Sequence, residues 1–309
     1  MHLSLISMMA LLLTFAAQSA ATHDSAGTTG FNFLKIGMGA RPTAMGGAFT
    51  AVPADTEAAF WNPAGLHGIS QRTGVLALNS YLVDTQAGAA SIALPAANRT
   101  WGLTIQYVTY GDMQRRDASG LDQGTFGAAD MAAYLTVAQP VWQDRLIAGV
   151  NLKAVHSSID NYSSDAYMVD LGLLLHGPVD GMVLGAALLN LGGVRSGYAG
   201  NHKESLPVSV RLGLSHRPAH MPVPVILLAD LIIPNDADAY LAFGAEVSLP
   251  GGFHIRPGYS AQQTGSGGDQ AVGITGGIGF TASAYGLDYA YASYPDLGDV
   301  HRVSISGSF

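Results

Sequence analysis

From Thr73 to the end, the sequence repeats one pattern: short segments in which apolar residues alternate with small or polar residues. Each segment has roughly the 9 to 11 residues that a tilted β-strand needs to cross a bilayer. An even number of strands lets an antiparallel sheet close on itself, and the pattern predicts an all-β, 14-stranded antiparallel transmembrane β-barrel. The predicted strands are 73–81, 86–94, 100–110, 128–138, 145–156, 165–175, 182–190, 207–216, 223–231, 239–249, 253–261, 270–280, 284–292 and 300–309.

The position of the charges distinguishes a membrane barrel from a soluble sandwich. Leu103 and Ile105 share the apolar face of the third strand, while Thr104 lies on the other face. Only 12 % of the chain is charged, which is too little for a solvated face of this size. The small, polar face is therefore predicted to line a lumen and the apolar face to contact lipid, where a charge costs about 2–4 kcal/mol. The strand charges on the lumen face are Asp130, Lys153, Asp170, Arg211, Asp230, Glu246, Arg256, Asp288 and Arg302.

Loop lengths predict how the barrel is oriented. Connections after even-numbered strands are short, whereas most of those after odd-numbered strands, such as 111–127 and 191–206, are longer. Short periplasmic turns and long outer loops are typical of outer-membrane barrels. Aromatic residues near the predicted strand ends are expected to form interfacial belts: Trp101, Tyr110, Trp142, Phe253 and Tyr285.

The two ends of the chain predict export and insertion. Residues 3–17 are apolar and 19–21 are small, so we predict a signal peptide at 1–21 and a mature chain from Thr22; an N-terminal membrane anchor is the alternative. The last residues alternate up to Phe309, which resembles the C-terminal signal recognised by the barrel-assembly machinery. The predicted location is the outer membrane, with outer-membrane lipid and the assembly machinery as partners.

Pro257 lies inside the eleventh predicted strand, where it cannot donate a hydrogen bond to the ladder. We expect a β-bulge at this position. A kink that opens the barrel wall laterally is the functional alternative.

Residues 22–72 differ from the strands and are predicted to plug the lumen of a barrel formed by residues 73–309. Asp55 can cap a short helix, which Asn62 and Pro63 would end. The segment is rich in apolar residues, which are costly to leave in water, and a 14-stranded barrel is too wide for its own side chains to fill. Arg41 and Asp55 are expected to meet lumen charges such as Glu246 and Arg211.

Several fixed elements recur in this segment: Phe33-Leu34, Gly39-Ala40-Arg41, Met45-Gly46-Gly47-Ala48, the acidic Asp55 and Trp61-Asn62-Pro63-Ala64-Gly65-Leu66. In this order and spacing they resemble the PorV/PorQ-like family of FadL-type outer-membrane β-barrel proteins. The resemblance implies an N-terminal hatch inside a 14-stranded barrel. Its candidate hatch residues are Gly39, Arg41, Gly46, Gly47, Asp55, Trp61, Asn62, Pro63 and Gly65.

The resemblance implies two functions. PorV/PorQ relatives serve type IX protein secretion as accessory or substrate-escort proteins, with secretion-system subunits as partners. FadL-type relatives passively move hydrophobic small molecules across the outer membrane, and the ligands would then be hydrophobic. The lumen charges Lys153, Asp170, Arg211, Glu246, Arg256 and Asp288 are predicted to pair with each other or with the plug, contact with a substrate being the alternative.

No motif predicts an enzyme or a cofactor. The sequence has no cysteine, no Gly-x-Ser-x-Gly, no His-Glu-x-x-His and no Walker loop. His216 and His220 are four residues apart but separated by a proline, which makes a metal site improbable. A net charge of −8 and the lack of a basic patch argue against nucleic acid. A lipid-modifying barrel enzyme is a third reading, against which the missing nucleophile motif argues.

Overall fold

In the computed structural model, which describes residues 23–80, 85–198, 203–262, 273–294 and 298–309, the strands form one closed antiparallel barrel. Each strand pairs with its neighbour in sequence, and the first strand pairs with the last to close the ring. The strands are β1 Thr73–Ser80, β2 Gln86–Ala96, β3 Arg99–Arg116, β4 Asp122–Trp142, β5 Leu146–Ile159, β6 Tyr162–His176, β7 Met182–Ser196, β8 Ser209–His216, β9 Val225–Pro234, β10 Tyr240–Ser248, β11 Phe253–Ser260, β12 Ile274–Ala282, β13 Tyr285–Tyr294 and β14 Gly298–Ser308.

The predicted fold class is confirmed, with 14 strands at the predicted places. The largest difference is residues 111–127, predicted as a loop, most of which extend β3 and β4 into a long hairpin arm. Residues Asp112–Arg116 of the arm pair with 122–127 beyond a register shift at Thr109. Both faces of the arm are largely exposed and polar, so no apolar alternation marks it as strand. The predicted signal peptide lies outside the described residues.

The outer face of the barrel carries an apolar belt that runs around the strands. Leu103 on β3, Leu152 on β5 and Ile278 on β12 each expose more than half of their side chains, 53 %, 55 % and 62 %. The lumen-facing residues between them are buried, as an apolar belt against lipid requires. Large aromatic residues lie on this face at one end of the barrel, the end where β1 begins and β14 ends. They are Trp101, Trp142, Phe253, Tyr285 and Phe309.

Tyr110 was predicted to join an aromatic belt, and that prediction is wrong. Its side chain lies on the lumen face of β3, where the hydroxyl donates a 2.6 Å hydrogen bond to Asp130. Even-numbered residues of β3 face the lumen, so proximity to a strand end alone does not place an aromatic residue at the interface.

The bulge expected at Pro257 is also not found. The pairing of β11 with β12 runs through Pro257 without a register shift. On the other side, the β10–β11 pairs skip Ala245 and Glu246 and then resume in the same register. A proline lacks the amide hydrogen that the ladder needs there. The β10–β11 pairing is therefore interrupted locally, without the extra residue that defines a bulge.

Among the described residues before β1 lie four short helical turns: 3-10 helices at Asn32–Lys35, Thr56–Phe60 and Pro63–Leu66, and an α-helical turn at Ala40–Ala44. Asp55 caps the second 3-10 helix through a hydrogen bond from the Glu57 amide, as predicted. This helix ends before Asn62 and Pro63. The Asn62 side chain has a further role, because it accepts a hydrogen bond from the Ala64 amide and caps the next helix. No helix among the described residues is long and apolar enough to cross a bilayer.

Candidate functional site

Residues 29–66, which we call the inner segment, run around the inside of the barrel. The Thr56–Phe60 helix contacts β1 to β3, the Pro63–Leu66 helix contacts β3 to β6, and the Ala40–Ala44 turn contacts β11 to β14. Residues 45–51 complete the ring against β7 to β10. The inner segment therefore contacts every strand of the barrel.

Glycines on the lumen face allow the inner segment to approach the strand backbone closely. A β-carbon at Gly149 of β5 would collide with the Pro63–Ala64 backbone, and one at Gly185 of β7 would collide with Thr50. A β-carbon at Gly258 of β11 would meet the Gly46 amide. The small residues that the sequence places on this face thus make room for the backbone of the inner segment.

The hatch residues named from the motif lie together and tie the inner segment to itself and to the wall. The Asn62 amide donates to the carbonyls of Thr50, at 2.7 Å, and Leu173, at 3.0 Å, which joins the segment to β6. The Trp61 indole donates to the Met38 carbonyl at 3.2 Å. Pro63 begins its helix. These contacts hold one conformation of the segment inside the barrel.

Four motif glycines occupy positions where a side chain would collide. Gly39, Gly46 and Gly47 have φ of 91°, 67° and 76°, in the left-handed range that glycine tolerates best. Gly46 also packs against the Tyr259 backbone, and Gly65 fits between Ala58 and Val52. The motif glycines therefore have a steric role in seating the inner segment.

An ion-pair cluster joins the inner segment to the wall at β10, β11 and β13. Glu246 accepts hydrogen bonds from Arg41, at 2.7 and 2.9 Å, and from Arg256, at 2.6 Å. Arg41 also pairs with Asp55 at 2.5 Å, and Arg256 pairs with Asp288 at 2.6 Å. The expected contact of Arg41 with Glu246 is therefore present.

The expected contact of Asp55 with Arg211 is not present. Asp55 pairs with Arg41 within the inner segment. Arg211 instead donates to the Gly47 carbonyl at 2.7 Å, lies 3.5 Å from Asp230, and stacks over the Trp61 ring at 4.8 Å. Asp55 and Arg211 face different parts of the barrel wall, and the sequence alone does not indicate this.

The remaining predicted lumen charges form a second buried pair. Lys153 lies 2.7 Å from Asp170 and 4.8 Å from the centre of the Tyr134 ring. Asp170 also accepts from Asn151, whose amide donates to the Ala59 carbonyl of the inner segment at 2.9 Å. This pair therefore supports the inner segment through one intervening residue.

Sequence reasoning missed three residues that hold the inner segment. Asp230 was placed on the lumen face but not identified as an anchor; its carboxylate accepts from the amides of Phe49 and Thr50, both at 3.0 Å. Lys35 forms an ion pair with Asp236 at the far end of β9. The signal that could have indicated Asp230 is a carboxylate on the lumen face of an otherwise apolar predicted strand, 223–231.

The inner segment separates two cavities. The first, of about 480 Å³, lies at the end where β1 begins and β14 ends, and it is lined by Arg41, Asp55, Glu57, Glu246, Thr73 and Ser308 among others. The second, of about 310 Å³, lies toward the opposite end and is lined by Leu34, Ile36, Phe60, Trp61, Tyr134 and Tyr240 among others. The end with the two-residue turns 97–98 and 283–284 faces the periplasm in outer-membrane barrels, so the larger, polar cavity is periplasmic.

Burial raises the pKa of Glu57, in the inner segment, to about 8, and the neighbouring carboxylate of Asp55 adds to the effect. A donated hydrogen bond from Ser304, at 2.8 Å, opposes the rise. An acid whose folded pKa is raised contributes stability that is full below its unfolded pKa and is lost as pH rises through the folded pKa. The stability of the seated segment should therefore fall between about pH 4.5 and about pH 8.

We expect Glu57→Gln, which imitates the protonated acid, to remove this pH dependence. Between about pH 5 and about pH 9 the wild type should lose on the order of 3 kcal/mol relative to the variant, measured as thermal unfolding in detergent. The two proteins should be nearly equal at the acid end, which serves as the internal control. Equal pH slopes for both proteins would contradict a protonated Glu57.

The fold and the apolar belt define the class: the chain is an outer-membrane β-barrel with a segment seated in its lumen. No family model and no curated protein matches the sequence. Among solved structures it is similar to the toluene transporter TbuX of Ralstonia pickettii, with TM-score 0.62, 17 % identity and coverage of 88 % of this chain and 98 % of that one. It is also similar to the toluene transporter TodX of P. putida, with TM-score 0.65, 14 % identity and coverage of 88 % and 99 %. The chain therefore has the same fold as these two transporters.

Proposed function

We propose that this protein is a passive transporter that moves small, uncharged hydrophobic molecules across the outer membrane. The observation that carries the proposal is the cavity of about 310 Å³ on the outer side of the inner segment. A ligand would enter this cavity from outside, and a shift of the inner segment would open the way to the periplasmic cavity. No catalytic step is part of the proposal.

The size and lining of the outer cavity suit an aromatic ring or a short hydrocarbon. Aromatic and aliphatic side chains supply much of its wall, including Phe60, Trp61, Tyr134 and Ile232. An apolar cavity of about 150 Å³ already holds benzene, so about 310 Å³ accommodates a substituted single ring. Polar side chains such as Gln106 and Asn190 line the rest of the cavity, and small-molecule sites combine apolar walls with polar groups of this kind. The similarity in fold to two toluene transporters agrees with this class of ligand.

The charges around the outer cavity favour neutral ligands. Every cation that lines it has a carboxylate partner: Lys35 with Asp236, Lys153 with Asp170 and Arg211 with Asp230. An anionic ligand would enter a space in which these cations are already neutralised, and burying an uncompensated charge is costly. A carboxylate such as a fatty acid or benzoate is therefore disfavoured relative to an uncharged ring.

Trp61 provides a direct test of binding. The chain has three tryptophans, and Trp101 and Trp142 lie on the outer face, so Trp101→Phe/Trp142→Phe leaves Trp61 as the only indole. We expect toluene to change Trp61 emission saturably in detergent and benzoate to bind about tenfold more weakly or worse. Uptake of toluene by cells that make the protein should exceed uptake by cells that lack it.

Asp236→Asn tests whether neutralised cations exclude anionic ligands. It leaves Lys35, which lines the same cavity, without its carboxylate partner. It should improve benzoate binding and leave toluene binding unchanged. Emission that does not respond to toluene, or equal binding of toluene and benzoate to the unmodified site, would refute the proposal.

The accessory role in type IX secretion, which the N-terminal motif implies, stays a prediction. The motif residues lie inside the lumen, where they contact the barrel wall. That placement favours a role in closing the lumen over a role as a surface for a secreted protein. The structural similarities are to hydrocarbon transporters, which support the transport function better.

A further inference from the structure

A groove of about 480 Å³ lies on the outer wall of the barrel where β14, β1 and β2 meet. Its floor is two glycines, Gly74 and Gly307, which are paired across β1 and β14. Taller side chains surround them, and these are strongly exposed: Leu76 at 59 %, Ile305 at 54 %, Leu103 at 53 % and Phe309 at 71 %. The groove is thus a furrow in the lipid-facing surface, open to the bilayer.

The groove lies near the periplasmic end of the barrel. Gly74 is the second residue of β1, and Gly307 is the second-last residue of β14. Its lining is almost entirely hydrocarbon, with Ile92 and Ile105 on the side toward β3. The shape and chemistry match one acyl chain of a lipid in the periplasmic leaflet, which consists of phospholipid.

Two arginines lie on the periplasmic side of the groove, just outside its lining, at the ends of strands that border it. Arg72 is two residues before Gly74, about 7 Å along the strand on the same outward face. Arg99 begins β3, next to the turn that follows β2. Both are exposed, and neither forms an ion pair with another described residue. Basic side chains at a membrane surface attract anionic lipids.

We propose that this groove is a binding site for an anionic phospholipid. One acyl chain lies over Gly74 and Gly307, and the headgroup phosphate contacts Arg72 and Arg99. The groove lies outside the lumen, so a negative result for lipid binding would leave the proposed transport function untouched. It would anchor a lipid at the β1–β14 pair that closes the barrel.

Native mass spectrometry of the full-length mature protein in detergent tests the proposal, with phosphatidylglycerol and phosphatidylcholine as probes. We expect phosphatidylglycerol to be retained in preference to phosphatidylcholine. Arg72→Gln/Arg99→Gln should lower the retained phosphatidylglycerol about tenfold. Gly74→Leu should abolish retention by filling the groove; a β-carbon there has only ordinary contacts, at 3.9 and 4.0 Å, so the barrel should still fold.

Two controls separate the site from general lipid contact. Gly193, near the outer end of β7, is also exposed and has nothing within 4 Å of an added β-carbon, so Gly193→Leu adds the same side chain outside the groove and should change nothing. Arg145→Gln, in a turn at the same end of the barrel, should likewise leave retention intact. Folding of each variant is checked by the slower migration of the protein after boiling.

Three results would overturn the proposal. Equal loss of lipid in Gly74→Leu and Gly193→Leu would mean that the groove is not a site. Equal retention of the two lipids would mean that the arginines do not select the headgroup. A dimer of the chain that Gly74→Leu dissociates, without a lipid adduct, would make the groove an interface between two copies.

Discussion

Deleting residues 30–66 is expected to turn the closed barrel into an open pore. The inner segment contacts all 14 strands and separates the two cavities, so its removal joins them into one continuous lumen. Barrels of about eight strands are filled by their own side chains, whereas wider barrels leave a water-filled space unless it is occupied. Single-channel conductance in planar bilayers should rise on the order of tenfold or more.

The deletion leaves the strands and their order intact, so the protein should still insert. Its lumen charges lose their partners in the segment, but they become hydrated when the segment is absent. A shift in gel mobility on boiling shows whether the barrel has formed. A folded deletion variant that conducts no better than the wild type would show that the inner segment does not close the lumen.

Replacing Glu246 is expected to be the most damaging single change to the seating of the inner segment. Its carboxylate accepts three hydrogen bonds from the partly buried Arg41 and the buried Arg256. Removing one partner of a buried ion pair costs about 3–5 kcal/mol when the remaining charge has no other partner. Arg41 keeps Asp55 and Arg256 keeps Asp288, so we expect a cost at the lower end, about 3 kcal/mol. Glu246→Leu should therefore lower the thermal unfolding temperature and increase spontaneous channel openings.

A double-mutant cycle shows whether the effect acts through the inner segment. Arg41→Met removes the segment's side of the same contact, so combining it with Glu246→Leu should cost at least about 1 kcal/mol less than the sum of the two. Arg115→Met breaks the exposed pair with Asp160 in the hairpin arm and should cost at most about 1 kcal/mol. Additive effects of Arg41→Met and Glu246→Leu would mean that the two residues do not act as one contact.

The strands could be predicted because lipid imposes a strict rule on their sequence. Within the bilayer every outward residue such as Leu152 must be apolar, and lumen-facing charges such as Lys153 are confined to the other face. Outside the bilayer this rule does not apply, so the sequence of the β3–β4 arm gives no signal that distinguishes strand from loop. The prediction for Tyr110 failed for another reason. The alternation of β3 puts Tyr110 on the lumen face with Thr104, but the prediction rested only on its position near the strand end.

The partners of the charged residues could be predicted only in part. The sequence indicates that Arg41 and Arg211 need acidic partners, but the rotation of the inner segment within the barrel decides which ones. That rotation depends on many backbone contacts at lumen glycines, each too small to recognise in a sequence. The burial of Glu57, and hence its raised pKa, follows from the same packing.

The contact of the inner segment with every strand has a consequence for how this barrel can evolve. The diameter of a barrel grows with its number of strands. Gain or loss of one hairpin would change the circumference and pull the wall away from a segment of fixed length. Backbone contacts such as Gly149 with Ala64 and Gly258 with Gly46, on separate arcs of the wall, could not both survive that change. We therefore expect changes in the loops, the hairpin arm and the side chains of the outer cavity to be tolerated more readily than a change in the number of strands.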